Sequence, residues 1–417
     1  MQRTNLRLFL VILLSSWLAL PPRAWSAGTV PDVPSDATIG RGVQTGQSQA
    51  KDWTILIYFD ADNDVGDVCD KIISKMERAG TTDRVNIVVQ LDRPGNTGTW
   101  RYLMKKGDQP DKITSQIVET LSEQDMGSPD TLGEFVRWGM KKYPARRYFL
   151  DLFSHGTGWE ECIAADQPVD RAVVFDDHSG NHLSVVQIGE VLRGVTRLSG
   201  QKIEVLGYTA CLMQTAEVAA EVSDSCLYQV GSEERTLDWP YDRWLTQVVA
   251  HPEWNGLQVS NALLDSFMEQ VSGGDSYIAF DMSILDLSKF SELQTRAGAF
   301  VHAVLGSVGS KAKVVEAVNG TWGYHRGQNR DLVDFLDQIL KKVEDKPVVD
   351  AANALRSFLR DQVVVKHGQR KDPHARSNGL AVYLPDYVTV CELNFHRKTA
   401  WSTRTQWSKL VVELEKR

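Results

Sequence analysis

Four runs in this chain are of strand length and apolar almost throughout: Trp53–Phe59, Val85–Leu91, Tyr148–Phe153 and Ile203–Tyr208. A strand with one wet face alternates apolar and polar residues. A run without that alternation is covered on both faces, as in a parallel sheet packed between helices. Helical patterns fill the gaps. Residues 68–79 read as a helix, and Ser128 with Pro129 forms a cap and first-turn signal. After it, Leu132, Phe135, Val136, Gly139 and Met140 share one helical face. Further helices are expected near 185–195 and 213–222, and further strands at 99–104, 172–175 and 227–231. Strands thus alternate with helices to about residue 250, which predicts an α/β fold: a mainly parallel central sheet with helices on both faces. Beyond 250 the chain reads as mostly helical, with strand candidates at 277–282 and 379–384.

The first residues are basic, residues 8–20 are almost wholly apolar, and Ala24-Trp25-Ser26 offers small residues where a signal peptidase reads. These are the three parts of a secretory signal. The apolar run is shorter than the ~20 residues a spanning helix needs, so export is expected, to the periplasm or outside the cell, with no membrane anchor in the mature chain. Residues 27–51 are polar and hold almost no large apolar side chain. They cannot bury enough surface to offset their ordering entropy, so they read as a disordered linker or propeptide. The net charge of -8 disfavours a nucleic-acid partner. Five cysteines are too few for a disulfide scaffold, and an odd number leaves at least one unpaired within the chain. Pairing among Cys69, Cys162, Cys226 and Cys391 stays open.

Two of the strand-like runs end in reactive side chains. One delivers His155 followed by Gly156, the other Ala210 followed by Cys211. Carboxyl ends of neighbouring parallel strands form the crevice where α/β proteins do chemistry. If the two strands are neighbours, a thiol meets an imidazole there, a nucleophile with its proton partner. Cys211 is expected just before a helix, whose dipole would favour the thiolate. Gly156 has no side chain, so its N–H and that of Cys211 can form an oxyanion hole, worth ~3 kcal/mol per donor. The bland reading is a buried core thiol and a hydrogen-bonded turn histidine.

Other signals are weaker. The acids of residues 60–64 resemble a calcium loop, but Gly66 falls one place late and Lys71 stands where the last glutamate belongs. They read instead as a polar turn capping the next helix. His178 and His182 have the spacing of a zinc pair, but a Ser-Gly-Asn turn lies between them and further ligands are lacking, so no metal is expected there. Neither a serine-hydrolase elbow nor a glycine-rich phosphate loop occurs.

The chain resembles the clostripain family of cysteine endopeptidases, which shares a caspase-like fold with gingipains, legumains and separases. The pieces that carry the resemblance are 53–64, 126–132, 155–159, 175–177, 210–213 with 217–219, 232–234, 239–241, 331–334 and 378–380, in family order. The resemblance implies a caspase-like sandwich in which Cys211 is the nucleophile and His155 its partner. It implies a peptide or protein substrate, bound through positions including Thr209, Ser232, Glu233 and Asp238, and autoprocessing at a basic residue between the dyad members, for which Arg171 is the candidate. No cofactor is implied as required; calcium is left open, as are the oligomeric state and the natural substrate. The family usually has aspartate at the position of Thr209, lining a pocket for P1 arginine or lysine. A hydroxyl there weakens that preference. The expected division is a signal at 1–26, a linker at 27–51, a catalytic core at 52–250 and a C-terminal part at 251–417 packing on the core. The alternative from another class is a catalytically silent peptide- or protein-binding protein on the same scaffold.

Overall fold

A computed structural model describes residues 50–95, 98–159, 173–272, 280–324, 328–370 and 376–415. The expected signal at 1–26, almost all of the expected linker at 27–51, Cys162 and Arg171 lie outside them. The strands are β1 (Lys51–Asp60), β2 (Val85–Asp92), β3 (Thr99–Leu103), β4 (Gln116–Leu121), β5 (Ala145–Phe153), β6 (Val173–Asp176), β7 (Asn181–Leu183), β8 (Ile203–Thr209), β9 (Cys226–Gly231), β10 (Asp281–Asp286), β11 (Asn329–Asp331), β12 (Val364–Gln369) and β13 (Ala381–Tyr383). Nine of them form one sheet in the order β12-β10-β9-β8-β5-β1-β2-β3-β4. Its five central strands, β9, β8, β5, β1 and β2, run parallel. The edges are antiparallel: β2 with β3, β3 with β4, β9 with β10 and β10 with β12.

The apolar runs behave as two-faced strands. Along β1, Leu56 and Tyr58 enter one core, while Trp53, Ile55, Ile57 and Phe59 enter the other. The helices that cover these faces are α1 (Cys69–Glu77), α2 (Pro129–Lys142), α3 (Val185–Ser199), α4 (Ala216–Val222), α5 (Tyr241–Ala250), α6 (Gly256–Ser272) and α7 (Phe290–Gly306), with further helices to Glu415. Residues of α2, α3, α4 and α7 join the core with Leu56; those of α1, α5 and α6 join the core with Phe59. Ser128 caps α2 with Pro129 in its first turn. Ser184 and Gln187 form a reciprocal capping box on α3, and Gly200 ends it at φ +68°.

The part beyond residue 250 supplies β10 and β12 to the same sheet. The 379–384 candidate contains β13 at Ala381–Tyr383; of the 277–282 candidate, residues 277–279 lie outside the described residues and only Asp281 and Met282 fall in a strand, β10 at Asp281–Asp286, which runs on past its expected end. The edge strand β4 has no apolar run to announce it, since none of its side chains is fully buried. No helix among the described residues is long and apolar enough to cross a membrane.

Chain order positions the site. From β1 the chain passes through α1 to β2 on one side, then returns to place β5 on the other. The connections leaving β1 and β5 therefore diverge, and a crevice opens at their carboxyl ends.

Candidate active site

β5 and β8 are parallel neighbours, with Phe153 paired to Thr209. His155 and Cys211 each follow two residues later, at the same carboxyl edge. The two backbones are in contact there. A Cβ added to Gly156 would stand 2.4 Å from the Cys211 carbonyl oxygen and 3.1 Å from its amide nitrogen. Only glycine fits. Below this point Phe59 of β1 stacks on Phe153 of β5, with ring centroids 3.8 Å apart.

After Cys211 the chain turns through Leu212 at φ +64°. A leucine in this left-handed region carries strain, which surrounding bonds must hold. Here the Leu212 N–H donates to the Glu234 carbonyl and the Gln214 N–H to the Ser232 carbonyl, each at 3.0 Å. The turn is thus stitched to the loop that follows β9.

The Cys211 thiol is free, as are those of Cys69 and Cys226; Cys391 is disulfide-bonded. Its sulfur is half-buried and accepts the Thr236 N–H at 3.4 Å. Burial pushes the thiol above its usual range; the Thr236 N–H and the nearby Arg235 charge pull it down by less. The helix-dipole expectation is therefore corrected. α4 starts at Ala216 behind its cap Thr215, so the turn of residues 211–214 stands between the sulfur and the helix end. The dipole effect fades within the first turn.

His155 is oriented from the β1 side. Its Nε2 lies 2.5 Å from Oδ1 of Asp64, which opens the short 3-10 turn Asp64–Val68. Asn63 caps that turn by accepting the Val65 N–H, and its amide nitrogen donates to the Phe175 carbonyl at 2.9 Å. The polar turn expected at 60–64 is present, with Asn63 rather than an aspartate as the capping residue. Asp64 was not among the sequence candidates for the site.

Thr209 is buried and does not stand alone. Its hydroxyl lies 3.0 Å from both carboxylate oxygens of Asp151 on β5, and the Tyr241 hydroxyl donates to Asp151 Oδ2 at 2.5 Å. Burial raises the Asp151 carboxyl to about 6, with the Tyr241 and Thr209 hydrogen bonds opposing. A carboxylate therefore does lie at this level of the sheet, on the neighbouring strand.

The remaining expected substrate positions are turned into the fold or already paired. Ser232 donates to Asp281 at 2.8 Å and is buried. Glu233 is fully buried, accepts the Gly379 N–H at 2.8 Å, and is pushed well up by burial beside Asp331 and Asp281. Asp238 forms an ion pair with Lys75 at 2.6 Å.

Two clusters among the described residues have donors close enough to share an ion: Glu233, Asp281 and His367, and Asp62, Asp92 and Asp176. In the first, Asp281 is already spent on the Ser232 hydroxyl and the N–H groups of Glu233 and Glu234. In the second, both oxygens of Asp176 accept backbone N–H groups, while Asp62 Oδ2 and Asp92 Oδ2 are buried without a hydrogen-bond partner, as are Glu233 Oε1 and His367 Nε2 in the first. Neither cluster contains His178 or His182.

Comparison with known proteins agrees with this architecture. The family model for the clostripain family, peptidase family C11, matches residues 57–415. Clostripain from Hathewaya histolytica is 27% identical over 187 residues, which is 40% of this chain and 35% of that protein. The matched region thus spans about a third of the curated relative's length. A secreted C11 cysteine protease from Bacteroides thetaiotaomicron, solved with an irreversible peptide inhibitor, superposes with a TM-score of 0.66 at 15% identity, covering 86% of this chain and 99% of that one. An inactive zymogen C11 protease from Parabacteroides distasonis gives 0.62 at 18% identity, with the same coverage. At such identities the likeness is one of fold.

Proposed function

The chain belongs to the clostripain family, and on that premise we propose that it is an exported cysteine endopeptidase with Cys211 as nucleophile and His155 as its proton partner. The single observation that carries this is the pairing of β5 with β8 in the register Phe153 to Thr209, which brings the His155 and Cys211 backbones to one edge. Asp64 holds Nε2 of His155, leaving Nδ1 to exchange protons with the thiol. The thiolate attacks the peptide carbonyl. The N–H groups of Gly156 and Cys211 receive the developing oxyanion, and His155 hands its proton to the departing amine. Water then releases the acyl group. The basic, apolar and small-residue pattern of residues 1–26, that of a secretory signal, supports export.

For specificity we read a preference for P1 arginine or lysine, weaker than direct contact with a carboxylate would give. Thr209 presents a hydroxyl, and Asp151 places its charge one hydroxyl behind. Processing is assigned to the segment before β6, with Arg171 as the cleavage residue; Arg171→Ala protein should stay a single chain.

The test is an acyloxymethyl ketone peptide panel varying P1. Labelling of Cys211, absent in Cys211→Ala, together with turnover lost in His155→Ala, supports the reading. A failure to label or turn over any peptide, with tight peptide binding retained, would instead establish the silent binding protein.

A further inference from the structure

On the reading of Cys211 as the nucleophile, we propose that Asp281 is a positioning residue for it: the Asp281 carboxylate folds the loop of residues 232–236, and that loop sets the turn carrying the sulfur. Asp281 opens β10, the antiparallel neighbour of β9. Their ladder pairs Ser283 with Gly231, the last residue of β9. Continued by two residues, it would set Asp281 opposite Glu233. The chain leaves the ladder there, and interior N–H groups lose their strand partners. The Asp281 side chain accepts them instead. Its Oδ2 accepts the Glu233 N–H at 3.0 Å; its Oδ1 accepts the Glu234 N–H at 3.1 Å and the Ser232 hydroxyl at 2.8 Å. Asp281, Ser232 and Glu233 are all buried. Hydrogen bonds to a carboxylate are about twice as strong as neutral ones.

The other side of this loop holds the Cys211 turn. Ser232 gives its hydroxyl to Asp281 and its carbonyl to the Gln214 N–H; Glu234 gives its N–H to Asp281 and its carbonyl to the Leu212 N–H. Each residue thus joins the carboxylate to the turn directly. Two positions on, the Thr236 N–H donates to the sulfur at 3.4 Å. Because Leu212 sits at φ +64°, the turn depends on such bonds to keep its shape. β10 reaches the same turn a second time, where Gln214 Nε2 donates to Ser283 Oγ at 2.7 Å and to the Ser283 carbonyl at 3.0 Å.

Only a carboxylate fits the part. Both oxygens of Asp281 accept a backbone N–H. Asparagine has the same size but one acceptor, so whichever way its amide lies, an NH2 group would face one of those N–H donors. The neighbouring Glu233 cannot take over, since its side chain turns away to accept the Gly379 N–H at 2.8 Å. A loop displaced from Asp281 would carry the Thr236 N–H and the Arg235 charge away from the sulfur. Both of these pull the thiol down against the effect of burial, so their loss disfavours the thiolate. It also misplaces the sulfur against the peptide carbonyl, which slows attack more than it weakens binding.

The test compares the parent with Asp281→Asn and Ser232→Ala. An acyloxymethyl ketone peptide counts the reactive Cys211 sites and gives the rate constant at each. Iodoacetamide alkylation of Cys211, read by peptide mapping across pH, gives the ionisation profile. Asp281→Asn should still label one site per folded chain, but about ten- to a hundredfold more slowly, with kcat falling alike and KM hardly changed. Ser232→Ala, which removes one bond of the set, should slow labelling by about threefold. Alkylation of Asp281→Asn at about pH 8 should fall by about threefold or more. Adding Thr236→Pro should lower it little further, because both changes remove the same N–H from the sulfur. A purely structural role would reduce the number of reactive sites and leave the rate at each unchanged; that result, or the parent's alkylation profile in both variants, overturns the proposal. If Asp281→Asn yields too little folded protein, Ser232→Ala decides, and a parent-like rate and profile there overturn it as well. A parent that neither labels nor cleaves would sink the nucleophile reading, while the alkylation profiles would still report whether Asp281 positions the sulfur.

Discussion

The Nε2 of His155 and Oδ1 of Asp64 lie 2.5 Å apart, joining the edge of β5 to the loop that leaves β1. Both side chains are well exposed, His155 by 44% and Asp64 by 83%. An exposed ion pair adds little to stability, so under the proposed dyad its value would lie in fixing which imidazole nitrogen is free to serve the thiol. Asp64→Asn should lower kcat by about ten- to a hundredfold, less than loss of a buried triad aspartate. KM and the melting temperature should hardly change. A kcat equal to the parent's would reduce the pair to a surface contact.

Asp151 sets a pH dependence. With its carboxyl raised to about 6 by burial, it is charged above that value and neutral below it. The ratio of kcat/KM for P1 arginine over an uncharged P1 residue should therefore fall as pH drops through about 6. Asp151→Asn should show the low ratio at every pH. Stability moves the other way. An acid whose folded pKa lies above its unfolded value is penalised when ionised, so the penalty is full above the folded pKa and disappears as pH falls toward 4. Asp151→Asn should accordingly melt higher at pH 7 than the parent, by up to about 3 kcal/mol before lost hydrogen bonds are counted. Denaturant melts at pH 7 and 4 check the sign.

Much of this was legible in sequence, because burial on both faces of a strand leaves an unmistakable run. Trp53–Phe59 and Val85–Leu91 announce β1 and β2 to within two residues at each end. The His155 and Cys211 edges follow once β5 and β8 are neighbours. Pairs made across strands were not legible. Thr209 looked like the loss of a charge because its partner lies 58 positions away, on β5. The signal was present nonetheless: Asp151 is the one acid in the apolar run Tyr148–Phe153, and a charge in a buried strand calls for a partner. Asp64 was visible only as a turn residue, since its contact with His155 depends on how two loops diverge. Ser232 and Glu233 matched a motif, and their burial and hydrogen bonds to Asp281 and to the Gly379 N–H depend on segments far along the chain.

The Cys211 thiol predicts slow general alkylation. Burial holds it above the usual cysteine range, which disfavours the thiolate in the free protein. Iodoacetamide should react slowly at neutral pH and faster in alkali. A peptide that places an electrophile beside the sulfur and a carbonyl in the oxyanion hole should react at pH 7 far faster than iodoacetamide does. Thr236→Pro removes the N–H that donates to the sulfur and should push the alkylation profile to still higher pH. Rapid iodoacetamide labelling at pH 7 would show a thiolate already formed.

The last prediction concerns how the C-terminal part holds the site's underside. His396 donates or accepts at both ring nitrogens: Nε2 lies 2.9 Å from Glu217 on α4, and Nδ1 lies 2.7 Å from the Ser408 hydroxyl. Glu217 and His396 are both fully buried. The His396 ring also packs edge-on against Trp159, with centroids 5.1 Å apart, and Trp159 follows the His155–Gly156 pair by three residues. Removing one partner of a buried pair strands the other, at a cost of about 3–5 kcal/mol. His396→Ala should lose that much stability in denaturant melts, and His396→Phe, which keeps the ring contact but not the hydrogen bonds, nearly as much. Glu217→Leu in the His396→Phe background should recover part of the loss, because the buried carboxyl that has lost its histidine partner is then gone as well. If His396→Phe melts like the parent, packing alone joins these helices and the polar pair adds nothing.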